Sequence, residues 1–189
     1  MRIISGKFKG KKILLPKDRL TRPLKDIAKE SIFNILNHST KLKFSFQNSN
    51  ILDLFSGVGS FGIECISRGA QFVTFVEKYE LAILILKKNL KNLKSVNNYK
   101  IIQKDIFLDF KLEILNQKFD LVFLDPPYKE KKIYNILIDI LKDNIIKKEG
   151  IIVIHRHKKD NDQLPTQLKI VEEKKYGISK VIYCIIESN

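Results

Sequence analysis

Cysteine, histidine, long apolar runs and acidic residues are all scarce in this chain, and each shortage excludes something. Two cysteines among 189 residues, Cys65 and Cys184, cannot build a disulfide framework, which makes a cytoplasmic protein the default expectation. The three histidines, His38, His155 and His157, are too scattered for a metal site, and no metal is expected. No apolar run approaches the roughly 18 to 20 residues that a membrane span needs. The first twelve residues carry charge with no apolar stretch behind them, unlike a secretory signal. Neither a repeat nor a low-complexity linker interrupts the sequence, so one domain is expected over residues 1–189. Asp and Glu number 21 against 35 Lys and Arg, leaving a net charge of +14 that favours a polyanionic partner such as nucleic acid.

What is present is the composition of a soluble globular protein. A 44% hydrophobic, 30% charged chain is neither disordered nor collagen-like. At this length about 70% of the unfolded surface can be buried without staples. The positive charge is concentrated, since residues 1–50 hold twelve basic side chains against three acidic ones. Near the start, Arg2, Lys7, Lys9, Lys11 and Lys12 alternate with Ile3, Ile4, Phe8 and Ile13 around Gly6 and Gly10, which reads as a small hairpin with one cationic face. A helix is expected from Pro23, with Ile27, Ile32, Ile35 and Leu36 on one stripe, and residues 39–50 read as a connection. Residues 1–49 thus form a basic extension, a hairpin and a helix, ahead of a core over 50–189.

That core alternates short apolar segments with amphipathic ones. Strands are expected at 51–55, 72–76, 101–103, 121–124 and 151–154, with helices at 61–67, 81–93 and 133–141 and a weaker one through 112–115. The pattern predicts an α/β fold, a mostly parallel, doubly wound, Rossmann-like sheet covered on both faces. Segments 168–173 and 180–186, separated by Tyr176 and Gly177, predict a closing antiparallel hairpin.

Four acids, Asp53, Glu77, Asp105 and Asp125, fall at or near the carboxyl ends of successive predicted strands, the edge at which such sheets bind ligands. Asp53 opens a turn containing Phe55, Ser56, Gly57, Gly59 and Gly62, which by itself also fits a nicotinamide dinucleotide. A carboxylate at 53 would repel pyrophosphate but suits an ammonium or sulfonium group. Glu77 stands where ribose hydroxyls are received, with Lys78 beside it, and Asp105 lies near an adenine amino group with Ile106 against the ring. These roles point to S-adenosylmethionine. The segment Asp125-Pro126-Pro127-Tyr128 ends an apolar strand in a rigid turn whose carbonyls are free to accept. An exocyclic base amine is a weak nucleophile. Acceptance of its two hydrogens by the Asp125 carboxylate and the Pro126 carbonyl would aim its lone pair at a methyl group, while Tyr128 stacks on the base. This chemistry fits guanine N2, adenine N6 or cytosine N4.

The chain also resembles the RsmD-type methyltransferases, which make N2-methylguanine in small-subunit (16S) ribosomal RNA. The likeness is carried by Arg2-Ile3-Ile4-Ser5-Gly6-Lys7-Phe8-Lys9-Gly10, by Thr21-Arg22-Pro23-Leu24-Lys25-Asp26, by Glu30 and by Phe33-Asn34-Ile35-Leu36. Segment 53–62, Glu77, Asn89, Asp105 and segment 125–128 follow in the family's order. The resemblance selects guanine among the three amines. It implies ribosomal RNA, within partly assembled small subunits, as the partner, with no membrane and no stable protein partner. It also sets the amino-terminal hairpin beside the active site, with Arg22 and Pro23 bordering the cofactor or the target base, and with the charge of the extension this makes Arg2, Lys7, Lys9, Lys11, Lys12 and Arg22 the expected RNA contacts. The chain departs from the family at Leu24, where Thr is usual, at Lys29, where Arg is usual, and at Ile154-His155-Arg156-His157, where the family is often acidic. Two rival classes are a DNA adenine-N6 methyltransferase, which more often has Asn at the position of Asp125, and a noncatalytic RNA-binding assembly factor.

Overall fold

In the computed structural model, which describes residues 1–16, 26–108, 111–130 and 132–187, the alternating segments become one mixed sheet with helices on both faces. Along the chain come α1 (Asp26–His38), β1 (Asn50–Leu54), α2 (Ser60–Ser67), β2 (Phe72–Glu77), α3 (Glu80–Asn92) and β3 (Tyr99–Gln103). A short 3-10 helix (Leu112–Leu115) follows, then β4 (Phe119–Leu124), α4 (Ile133–Lys142), β5 (Ile146–His157), β6 (Leu168–Tyr176) and β7 (Ser179–Ile186). The strand order is β3-β2-β1-β4-β5-β7-β6. The first five strands are parallel, and β7 runs antiparallel to both of its neighbours. Strand order reverses between β1 and β4, so the crevice of such a sheet opens at their carboxyl ends. Among the described residues no helix is long and apolar enough to cross a membrane.

Alternation along each strand sorts the core into two layers. Ile51, Phe75, Phe123 and Val153 face α1, α2 and α3, while Leu52, Val76, Val122 and Ile154 face α4 and the 3-10 helix. The closing hairpin forms as expected, but β7 lies between β5 and β6 instead of at the edge. Composition explains the order. β7 is buried over its first six residues and needs cover on both faces, whereas β6 exposes lysines and glutamates, as an edge strand should.

One expectation is corrected in the amino-terminal segment. Helix α1 buries Ala28, Lys29, Ile32, Phe33 and Leu36, but Ile27 is 75% exposed, because five residues before Ile32 is about 140° around the helix from it. The expected start at Pro23 lies outside the described residues. The hairpin is a small one, a single antiparallel bridge from Arg2 to Lys12 flanked by the Ile3 N–H to Lys11 O and Ile13 N–H to Met1 O bonds. Ile3, Phe8 and Ile13 are buried in the core, and the loop between them wraps the end of α2. The Lys7 N–H donates to Ser67 O at 2.7 Å, and Gly6 (φ 80°) passes so close that a Cβ there would stand 1.8 Å from the same oxygen. Covered by the sheet on one side and this loop on the other, α2 is buried throughout.

Candidate active site

A cavity of about 510 Å³ opens at the carboxyl edge of the sheet, between the turn after β1 and the segment after β4. Phe55, Ser56, Gly57 and Val58 line one side, with Glu77, Lys78 and Tyr79 beyond them, and Asp125, Pro126, Pro127 and Tyr128 line the other. The turn is held from beneath. Gly62 lies flush on β2, where a Cβ would come within 2.3 Å of Phe75 Cε1, so the first turn of α2 sits tightly on the sheet. Glu77 fixes the rim, accepting the Gly57 N–H at one oxygen and the Lys78 and Tyr79 N–H groups at the other, all at 2.8 Å. The Ser56 hydroxyl is buried at the wall with no hydrogen-bond partner among the described residues. Phe55 and Phe107 pack ring to ring at 5.2 Å. An unpaired hydroxyl, a carboxylate and an aromatic lip fit a ligand that joins a sugar to a flat ring, as S-adenosylmethionine does.

Across the cavity, Pro126 is buried and Pro127 turns outward. The Pro127 carbonyl accepts the Glu130 N–H at 2.9 Å and Arg156 Nη1 at 3.4 Å, so of the two proline carbonyls it is already engaged in the turn. The hydroxyls of Tyr128 and Ser179 are hydrogen-bonded at 2.7 Å. The His157 ring meets that of Tyr128 edge-on at 5.3 Å. Arg156, 1% exposed, bonds Asp162 through Nε and Nη2 and donates to the Glu130 carbonyl, tying the turn after β4 to β5. His155 Nδ1 lies 2.7 Å from Asp125 Oδ1.

Of the residues expected from the sequence, Phe55, Ser56, Gly57, Glu77, Lys78 and segment 125–128 meet on this cavity. Asp53, Gly59, Asp105 and Ile106 are not on its wall. Asp53 is 1% exposed and shares the β1 face of Ile51, beneath α2, where its carboxyl accepts the Gly62 N–H at 3.0 Å. Burial pushes that carboxyl well above the usual carboxylate range, the Gly62 bond opposing and the charges of Asp125 and Glu77 adding to the rise. The sequence sets this carboxylate against a sulfonium, and the structure places it beneath α2, off the cavity wall. Asp105 turns to Lys78 Nζ at 3.0 Å and to the Phe107 N–H. Desolvation would raise its pKa, but those two bonds hold it below the ordinary value. Arg2, Lys7, Lys9, Lys11 and Lys12 are exposed on the loop over α2, and Arg22 lies outside the described residues. Sequence reasoning misses His155, Arg156 and Ser179 as site residues. The signal for the first two is positional, because residues 154–157 end the next strand after Asp125 at the same sheet edge.

This sheet order, with a glycine turn and an Asp-Pro-Pro-Tyr segment facing one another across the switch point, defines a Rossmann-like methyltransferase. A family model described as "Conserved hypothetical protein 95" matches residues 1–185. The chain is 35% identical over 187 residues to a ribosomal RNA small subunit methyltransferase D from Buchnera aphidicola subsp. Acyrthosiphon pisum, covering 97% of this chain and 91% of that protein. It is 34% identical over 179 residues to the protein of that description from Haemophilus influenzae, covering 94% and 90%. A solved Haemophilus influenzae structure described as a methylase superposes with a TM-score of 0.74 at 32% identity, over 98% of both chains. The protein belongs to the ribosomal RNA small subunit methyltransferase D family.

Proposed function

We propose that the protein transfers a methyl group from S-adenosylmethionine to the exocyclic N2 amine of a guanine in small-subunit (16S) ribosomal RNA. The observation that carries this reading is the convergence of Glu77 and the glycine turn with Asp125, Pro126 and Tyr128 on one cavity. When bound, the cofactor supplies a methyl group on a sulfonium, an already activated leaving group. Glu77 receives its ribose hydroxyls, Ser56 offers a hydroxyl at the wall, and Phe55, with Phe107, covers its ring. Lys78 flanks this rim, Asp105 and Ile106 extend it beyond β3, and Asp53 acts from below by fixing Gly62. On the other wall, the Asp125 carboxylate and the Pro126 carbonyl accept the two amine hydrogens and direct the lone pair, while Tyr128 stacks on the base. The choice of guanine rests on the family.

Ribosomal RNA is also the partner that the charge favours, and partly assembled small subunits are the form in which we expect it, in the cytoplasm. We expect the shape of a ribonucleoprotein to supply much of the selectivity. Tritiated S-adenosylmethionine should label small-subunit RNA from a strain lacking the enzyme and yield N2-methylguanosine on digestion. Label in N6-methyladenine would discard guanine, and a ribose or ring-carbon methyl would discard the amine site. Short duplex DNA labelled as well as ribosomal particles would restore the DNA adenine reading.

The exposed cluster Arg2, Lys7, Lys9, Lys11 and Lys12 is the proposed track for RNA phosphates. Deleting it would also remove Ile3 and Phe8 from the core, so charge alone has to be changed. Replacing Lys7, Lys9, Lys11 and Lys12 by Gln is expected to weaken RNA binding and to flatten its log–log salt dependence by about 0.7 to 0.9 for each phosphate that is no longer neutralised. Filter binding across a salt series reads the slope, and a slope equal to wild type would return these lysines to solvent.

A further inference from the structure

Parallel pairing of β4 with β5 sets Leu124 beside Ile154, so Asp125 and His155 stand side by side at the carboxyl edge of the sheet. The imidazole is 6% exposed, lines the same cavity as Asp125, and lies 2.7 Å from Asp125 Oδ1 through Nδ1. Its Nε2 is buried with no hydrogen-bond partner among the described residues. An ionised carboxylate only accepts, so the shared proton sits on Nδ1. The contact with the Asp125 carboxylate therefore places a proton on Nδ1.

We infer that His155 is a positioning residue for methyl transfer: by donating from Nδ1 to Asp125 Oδ1 it fixes the carboxylate so that Oδ2 is left for the target amine. The inference rests on the proposed role of Asp125 as the amine acceptor. With this ring in place, an asparagine at 125 would offer its carbonyl to Nδ1–H and turn its NH2 toward the amine, donor against donor. A carboxylate has two acceptor oxygens and meets both neighbours at once. With His155 in place, a carboxylate at 125 therefore serves the amine better than an amide would.

The test is single-turnover methyl transfer to small-subunit particles, with cofactor and RNA affinities and thermal melting measured on the same variants. His155→Leu should slow transfer by about 10- to 100-fold, the size of one hydrogen bond to a charged group, with both affinities unchanged. His155→Asn, which keeps a side-chain donor, should recover much of that loss. Should His155→Leu not fold, His155→Phe, which keeps the ring, takes its place. In the Asp125→Asn background the sign should reverse, the double variant with His155→Leu being faster than Asp125→Asn alone, because the amide is then free to turn. A purely structural role would lower both rates together. Transfer by His155→Leu at the wild-type rate, equal losses in the Leu and Asn variants, or a slower double variant would each overturn the role of His155. Absence of N2-methylguanosine with the wild-type enzyme would instead overturn the proposed function.

Discussion

Replacing Asp125 by alanine is expected to lower methyl transfer by about 10²- to 10³-fold, the scale seen when one preorganised polar group is removed from a reacting centre. Affinity for S-adenosylmethionine should stay near that of wild type. Two features separate these outcomes. Glu77, the glycine turn and the aromatic lip stand across the cavity from Asp125, so cofactor contacts survive the substitution. Asp125 is bonded to His155 on the side of the amine segment, and alanine leaves the buried Nδ1 without its partner. A single-turnover assay alongside calorimetry of cofactor binding makes the comparison. If affinity falls with rate, Asp125 holds the cavity together and does not serve the amine.

Glu64→Ala should cost about 3 to 5 kcal/mol of folding stability, the range for removing one member of a buried ion pair. That is a large part of the marginal stability of an ordinary domain. Glu64 and Lys29 are both fully buried, 3.9 Å apart, and Lys29 also donates to the Arg2 carbonyl at 2.8 Å. Burial pulls the Lys29 ammonium below its usual pKa, against the opposing charges of Glu64 and Asp26. The Glu64 carboxylate further accepts the Ile4 and Ser5 N–H groups at 2.7 and 2.9 Å and Arg68 Nε at 2.9 Å. Alanine therefore leaves two backbone donors without their acceptor and takes the counter-charge from two cations in one step. Urea unfolding monitored by far-UV circular dichroism reads the loss, and a change under about 1 kcal/mol would reduce the cluster to the value of an exposed pair.

Much of this architecture is legible in the sequence because hydrophobic period is a local property. The expected segments 51–55, 72–76 and 121–124 fall within about two residues of the observed strands, ordinary uncertainty for element ends. Segment 151–154 falls short, because β5 extends over Ile146–His157 and carries polar residues at both ends. Strand order is less legible, since pairing says nothing of which hairpin strand turns inward until the two-sided burial of β7 is weighed against the charged β6. Side-chain direction decides the acids: Asp53 and Glu77 look alike as acids near strand ends, yet one lies under α2 and the other on the cavity. His155 and Arg156 read as a departure from the family pattern, and only the β4–β5 register brings them to Asp125. The Glu64 cluster joins residues sixty positions apart, and an isolated Glu on an apolar helix gives no sign of what it will bond.

The placement of β7 has a consequence for the order of assembly. β6 is synthesised before β7 but pairs only with it, and β5 has no partner on that side until β7 arrives. Until β7 is in place, β6 has no edge to join and one edge of β5 lies open. The two strands must therefore enter the sheet together as a hairpin, late, closing an edge that would otherwise invite association with other chains. The element that closes the sheet also supplies Ser179, whose hydroxyl is bonded to that of Tyr128, so completing the sheet also completes the proposed base-binding wall.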